Sequence, residues 1–157
     1  MISVIGAGAM GEALMAGWIA AGTSPDEIVA VDQDTDRLAR LRERRGVRSV
    51  EVSGVSVAEV VVVAVKPHHV ATALTDVAPH LGPNAVIVSV AAGVTLARLA
   101  EVLPEGQPVI RVMPNTPALV GRGVAGLAAG PTVTPEQIAR VVAMMEAVGI
   151  CVELPES

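Results

Sequence analysis

Residues 2–22, ISVIGAGAMGEALMAGWIAAG, decide the fold: an apolar strand, ISVI, runs into a glycine turn and then into an apolar helix. Within the turn, Gly6, Gly8 and Gly11 stand in the GxGxxG spacing of dinucleotide-binding loops. Each glycine has its own task there. Gly6 permits the tight turn, Gly8 lets the backbone approach a pyrophosphate, and Gly11 lets helix and strand pack closely. The helix beginning near Ala9 then aims free N–H groups and its positive dipole end at the phosphates. Such a motif also arises by chance in a Gly- and Ala-rich chain, so its flanks carry the weight. Asp32, 21 residues beyond Gly11, closes the next predicted strand, IVAVD, where an acid is expected to meet the adenosine ribose.

Working outward, apolar strands alternate with amphipathic helices, which predicts a doubly wound α/β fold with a mostly parallel sheet and helices on both faces. Strands are expected at 2–5, 28–32, 47–50, 60–65, 85–89 and 108–113, with weaker ones at 124–128 and 150–153. Helices are expected near 10–21, 34–45, 68–79, 95–103 and 135–148. Thr95 is the expected N-cap of the fourth helix; Thr134, Pro135 and Gln137 supply a cap, an N1 proline and a capping-box partner for the last. Gly46 and Gly149 stand at helix stops. No repeat or linker divides the 157 residues, so a single domain is expected.

Composition narrows the function. Apolar residues reach 52% with no Phe, no Tyr and one Trp, Trp18, the excess being carried by Ala and Val. Val-rich runs suit strands buried on both faces. The longest, Val60 to Val65, falls far short of the roughly 20 residues of a membrane helix. No membrane association is therefore expected. Met1 leads directly into the first strand without a basic leader, and a cytoplasmic protein is expected. Cys151 is the lone cysteine, and no His/Cys/carboxylate cluster has metal-ligand spacing, so neither disulfide nor metal is expected. A net charge of −5, with the basic run Arg37 to Arg48 interleaved with Leu38 and Leu41, reads as a solvated helix face rather than a nucleic-acid footprint.

Asp32 and Asp34 favour NADH, because a carboxylate accepts hydrogen bonds from ribose hydroxyls and repels a 2′-phosphate. Against this, Arg37 and Arg40 can swing toward a phosphate, and either Asp can instead cap the following helix. The fourth strand runs into Ala64, Val65, Lys66 and Pro67, then His68 and His69, at the carboxyl edge where open α/β sheets bind ligands. Lys66 reads as structural or cofactor-lining, and the two histidines as exposed first-turn residues; none is assigned as catalytic. The next two strands end in Ala91, Ala92 and Gly93, and in a Pro-rich turn carrying Asn115. Asn115 suits either an amide contact to a ligand ring or a bond to its own backbone.

Taken together, VIGAGAMGEALMAGW, VAVKPHHV, VSVAAGVTLARL and VIRVMPNTPALVGRGV, in this order and spacing, resemble pyrroline-5-carboxylate reductases. The resemblance implies a Rossmann-like dinucleotide-binding domain over residues 1–157. The family's C-terminal helical dimerisation domain, with its substrate-carboxylate loop, is expected to be absent. It implies that Gly6, Ala7, Gly8, Ala9, Met10 and Gly11, the Ala64 to Pro67 wall, Ala91 to Gly93, and Asn115 surround the cofactor. Where many members carry an asparagine before the fourth strand, this chain has Glu51. The implied reaction is reduction of 1-pyrroline-5-carboxylate to L-proline by NAD(P)H, NADH being favoured by Asp32. No acid/base residue is required of this chain, because hydride chemistry belongs to the cofactor. Full-length members are implied to be homo-oligomers and this chain a monomer or weak dimer. A freestanding nucleotide-binding module, or a related dehydrogenase or deazaflavin-linked reductase, stands as the alternative.

Overall fold

A computed structural model describes residues 1–114, 123–154 and 156. Among these residues, eight strands form one sheet: β1 (Ile2–Ile5), β2 (Ile28–Val31), β3 (Arg48–Ser49), β4 (Val60–Val63), β5 (Val86–Ser89), β6 (Val109–Pro114), β7 (Gly123–Ala129) and β8 (Gly149–Glu153). Their order is β3-β2-β1-β4-β5-β6-β7-β8. Every neighbouring pair is parallel except β6 with β7. The chain winds from β1 outward through β2 to β3, then returns to the other side of β1 with β4. The reversal between β1 and β4 is the topological switch point, where an open α/β sheet leaves a crevice at its carboxyl edge.

Among the described residues, five α-helices cover the sheet: α1 (Ala9–Ala20), α2 (Thr35–Arg45), α3 (Val70–Val77), α4 (Leu96–Glu101) and α5 (Pro135–Glu146). Strand alternation divides the core in two. Val60 and Val62 face one cluster with Leu14, Met15, Trp18, Leu41, Val141 and Met145 of α1, α2 and α5. Val61 and Val63 face the other with Val70, Leu74, Val77 and Leu99 of α3 and α4. All four β4 valines are fully buried, which is why the strand reads as an unbroken apolar run. With no Phe or Tyr to fill space, close backbone approach matters. A Cβ on Gly17 of α1 would strike the side chain of Val148, so α1 settles tightly beside the segment leading into β8. Trp18, 1% exposed, donates from Nε1 to the Met144 carbonyl at 3.0 Å and ties α1 to α5.

The caps follow their chemistry. Thr95 accepts from Arg98 N at 3.2 Å, Thr134 and Gln137 form the reciprocal capping box, and Gly46 ends α2 at φ +73°. Two expectations are corrected and one further element is added. The helix expected over 68–79 is shorter: α3 covers only 70–77, with 3₁₀ turns at Pro67–His69 and Ala78–His80, because Pro79 has no N–H to continue an α-helical ladder. Val52–Val57, to which the sequence reading assigns no element, forms a 3₁₀ segment that buries Val55. Gly149 opens β8, while Ala147 is the cap of α5. Beyond β8, Glu156 folds back: its Oε2 accepts from Arg111 Nη1 of β6 at 3.1 Å and from Leu96 N at 2.9 Å. Among the described residues, no helix is long and apolar enough to cross a membrane.

Leu14 is 1% exposed at the centre of the α1 packing face. Leu14→Ala is expected to cost about 2–5 kcal/mol. This should appear as a lower urea midpoint with an unchanged slope.

Candidate dinucleotide site

The crevice at the switch point is walled by the turn after β1, the segment after β4 and the segment after β5. Gly6 sits at φ +107°, and a Cβ there would lie 2.7 Å from the carbonyl oxygen of Ala64. The turn is therefore pressed against the wall that follows β4, and the Ala64 N–H donates to the Ile5 carbonyl at 2.8 Å. Gly11 faces the other way: its Cβ would collide with the carbonyl oxygen of Gly6, so any side chain there drives α1 off the turn. Gly8 is different again. A Cβ on it would meet one atom within 4 Å among the described residues, Nη1 of Arg37 at 3.8 Å. The surface over Gly8 is the open one, and Gly8 is also the N-cap of α1, with no side chain to occupy the helix's first N–H groups. Two closed glycines and one open glycine at an uncapped helix start make a cradle for an anionic group.

Asp32 follows β2 directly, with only 11% of its side chain exposed. Its Oδ2 accepts from Ala7 N at 2.7 Å and its Oδ1 from Asp34 N at 2.8 Å. The carboxylate thus braces the glycine turn from the second strand. Asp34 is the N-cap of α2, accepting from Asp36 N at 3.0 Å and Arg37 N at 3.1 Å. The open question between ribose reader and helix cap resolves for Asp34 as a cap; Asp32 caps no helix. Arg37 stands between them, its Nη1 3.9 Å from Asp32 Oδ2 and its Nε 3.5 Å from Asp34 Oδ2.

The fourth strand's ladder ends at Val63, earlier than expected, so Ala64, Val65, Lys66 and Pro67 form the loop beyond it. Ala64 and Val65 are partly covered, while Lys66, Pro67, His68 and His69 are exposed. Ala91 is buried and its N–H donates to Ser89 Oγ at 3.3 Å; Ala92 and Gly93 are exposed. A groove of about 290 Å³ runs beside this edge, touching Pro67, His68, Gly93, Val94 and Arg98. A larger concavity of about 430 Å³ lies elsewhere, lined by Leu96, Ala129, Glu153, Leu154 and Glu156, none of them in the glycine turn. Asn115 lies outside the described residues. Among the described residues, no three His, Cys, Asp or Glu side chains gather as a metal ion would require. What sequence reasoning missed is the Ala7 to Asp32 bond, which joins residues 25 apart and exists only because β1 and β2 are neighbours.

Residues 1–93 match the family described as NADP oxidoreductase, coenzyme F420-dependent. The chain belongs to this family. Over nearly its whole length it is also similar to pyrroline-5-carboxylate reductases. It is 41% identical to that of Mycobacterium leprae over 162 residues, 99% of this chain and 55% of the relative. For Corynebacterium melassecola the figures are 38%, 99% and 60%. The chain thus spans little more than half the length of these relatives. A solved pyrroline-5-carboxylate reductase from Coxiella burnetii superposes with a TM-score of 0.94 at 32% identity, over 99% of this chain and 59% of that one. A Plasmodium falciparum pyrroline carboxylate reductase, solved with NADP bound, shares the fold with a TM-score of 0.86 at 23% identity, over 99% of this chain and 57% of that one. The resemblance read from the four motifs is borne out, as is the Rossmann-like architecture.

Cys151, on β8, is partly covered; burial first, then the charges of Glu146 and Glu153, push its thiol above the ordinary range. A raised pKa leaves less thiolate at a given pH. Alkylation of the native protein by iodoacetamide at pH 8 should therefore be slower than that of glutathione under the same conditions, and should accelerate when urea unfolds the chain.

Proposed function

We propose that this chain is the cofactor-binding domain of a reductase that converts 1-pyrroline-5-carboxylate to L-proline using NAD(P)H. The observation that carries the proposal is similarity over 99% of this chain, at 38–41% identity, to proteins named for that activity. The cradle at Gly8, on the switch point of the sheet, supports the cofactor half of the reading. When bound, the dihydronicotinamide supplies the hydride for the C=N carbon.

The chain's own residues supply position. Free N–H groups at the start of α1 face the pyrophosphate over Gly8, with Ala7, Ala9 and Met10 completing the loop. Asp32 braces the turn and retains lone pairs for the ribose hydroxyls, since a carboxylate has about four acceptor sites and two are used by backbone N–H groups. Ala64 to Pro67 and Ala91 to Gly93 line the path of the cofactor along the carboxyl edge, and Asn115 is proposed as a further cofactor contact. No side chain is assigned as acid or base. NADH is favoured over NADPH, because Asp32 and Asp34 present two carboxylates against one guanidinium where a 2′-phosphate would come.

Titrating NADH and NADPH into the chain, followed by the fluorescence of bound nicotinamide, tests this directly. Both should bind, NADH several-fold more tightly. Asp32→Ala should weaken both by releasing the Ala7 N–H and should shrink the preference for NADH. Failure of both cofactors to bind would overturn the reading, and turnover of pyrroline-5-carboxylate separates this reductase from related dehydrogenases. The isolated chain is proposed to be a monomer or weak dimer; a tight dimer by size-exclusion chromatography with light scattering would contradict that.

A further inference from the structure

The loop from Val90 to Thr95 joins β5 to α4 and carries the Ala91 to Gly93 wall, so its two ends decide where that wall stands. The upstream end is fixed by the sheet. The Val90 N–H donates to the Val63 carbonyl at 3.1 Å and the Ala91 N–H to Oγ of the fully buried Ser89 at 3.3 Å. The downstream end is fixed from far along the chain. Leu96 opens α4 with an N–H that its own helix cannot use, and the Thr95 side chain is engaged by the Arg98 N–H. Glu156 Oε2 accepts the Leu96 N–H at 2.9 Å, and the same oxygen accepts from Arg111 Nη1 at 3.1 Å. Arg111 is the register partner of Ser89 on β6, and its side chain is only 12% exposed. Its Nε has no hydrogen-bond partner among the described residues, which leaves the Glu156 carboxylate as the counter-charge of a nearly buried cation. The concavity of about 430 Å³ lined by Leu96, Leu154 and Glu156 lies alongside. The joint between the start of α4 and the segment after β8 is therefore made by polar bonds beside open space.

We infer that Arg111 and Glu156 are positioning residues for the nicotinamide half of the cofactor, acting through the start of α4 on the Ala91 to Gly93 wall. The inference rests on the dinucleotide reading above and deepens it. Sheet order supplies the direction: Asp32 follows β2, the glycine turn follows β1, and β4 and β5 come next on the other side. A dinucleotide with its ribose at Asp32 and its pyrophosphate at the glycine turn extends its second half over the ends of β4 and β5, where the wall lies. Ala92 and Gly93 are exposed, and a Cβ on Gly93 would meet no atom within 4 Å among the described residues, so this part of the wall has little packing of its own. Its place depends on its anchors. Losing the Glu156 carboxylate frees Leu96 and unpairs Arg111 together, because one oxygen serves both donors. The glycine turn and Asp32 have bonds of their own and are left in place. The two halves of the cofactor therefore respond differently to a change at residue 156.

Calorimetric titration of NADH and of ADP-ribose, which lacks the nicotinamide, into the wild-type chain, Glu156→Ala, Glu156→Gln and Arg111→Met tests this without any turnover. Glu156→Ala should weaken NADH by about fivefold or more, the scale of one lost hydrogen bond, and should reduce the enhancement of bound dihydronicotinamide emission. ADP-ribose should stay within about twofold, as for a distant, independent site. Arg111→Met should repeat the selective loss, and the double variant should add little to it, as expected of a single joint. Glu156→Gln, which keeps an oxygen for both donors, should recover part of the NADH affinity. Circular dichroism establishes that each variant is folded at the titration temperature. Unchanged NADH binding by Glu156→Ala overturns the inference, and so does an equal weakening of ADP-ribose, which would make the joint a brace of the whole domain. Wild-type binding of ADP-ribose as tight as that of NADH overturns it while leaving the dinucleotide reading intact, whereas binding of neither overturns both.

Discussion

The contact between the carbonyl of Gly6 and the Cα of Gly11 is the constraint on which the rest of this domain depends. No side chain fits between them, so α1 begins at once, hard against the end of β1. Its angle follows from that contact. It brings Leu14, Met15 and Trp18 onto the sheet and Gly17 against Val148, so the first helix also settles the last strand's approach. The same closeness presses Gly6 against Ala64, and the turn becomes a joint shared by β1, α1 and the end of β4. Asp32 completes it from the side of β2. Four elements thus converge on six residues, and the surface left open is the one over Gly8.

A domain with no Phe or Tyr builds its core from many small contacts. Dispersion per atom pair is slight, so the stabilisation depends on backbone elements lying near enough for short side chains to touch. This explains the fully buried valines of β4, stacked on both faces by helices, and the glycines standing where a methyl group would hold two elements apart. The cradle for an anion and the density of the core have the same origin in side chains that are missing.

Much of this was legible because the signals are local and steric. Period-two and period-3.6 patterns located the strands and helices to within a few residues; Thr95 and Thr134 announced their caps through side-chain chemistry, and Gly46 through the left-handed backbone that glycine adopts freely. VSGVSV at 52–57 carries neither period, which is why its 3₁₀ segment was not foreseen. Pro79 was visible, yet the length of α3 turns on one missing donor inside an otherwise helical pattern. At the site, the acid after β2 was readable from spacing, whereas its partners were not. The pairing of Asp32 with Ala7 depends on sheet order, and the position of Arg37 over Gly8 depends on how α2 lies beside α1. Sequence distance holds neither.

Trp18 has a spectroscopic consequence. It is the one aromatic chromophore of Phe, Tyr or Trp type in 157 residues, it is almost wholly buried, and its indole N–H is held by the Met144 carbonyl. Intrinsic fluorescence from this protein is therefore a single-point measurement of the seam between α1 and α5. An event that loosens α1 from its turn will change the emission early, while fraying at the β3 edge of the sheet will leave it unchanged. Comparing that signal with backbone circular dichroism turns one indole into a test of whether the two faces of the sheet come apart together.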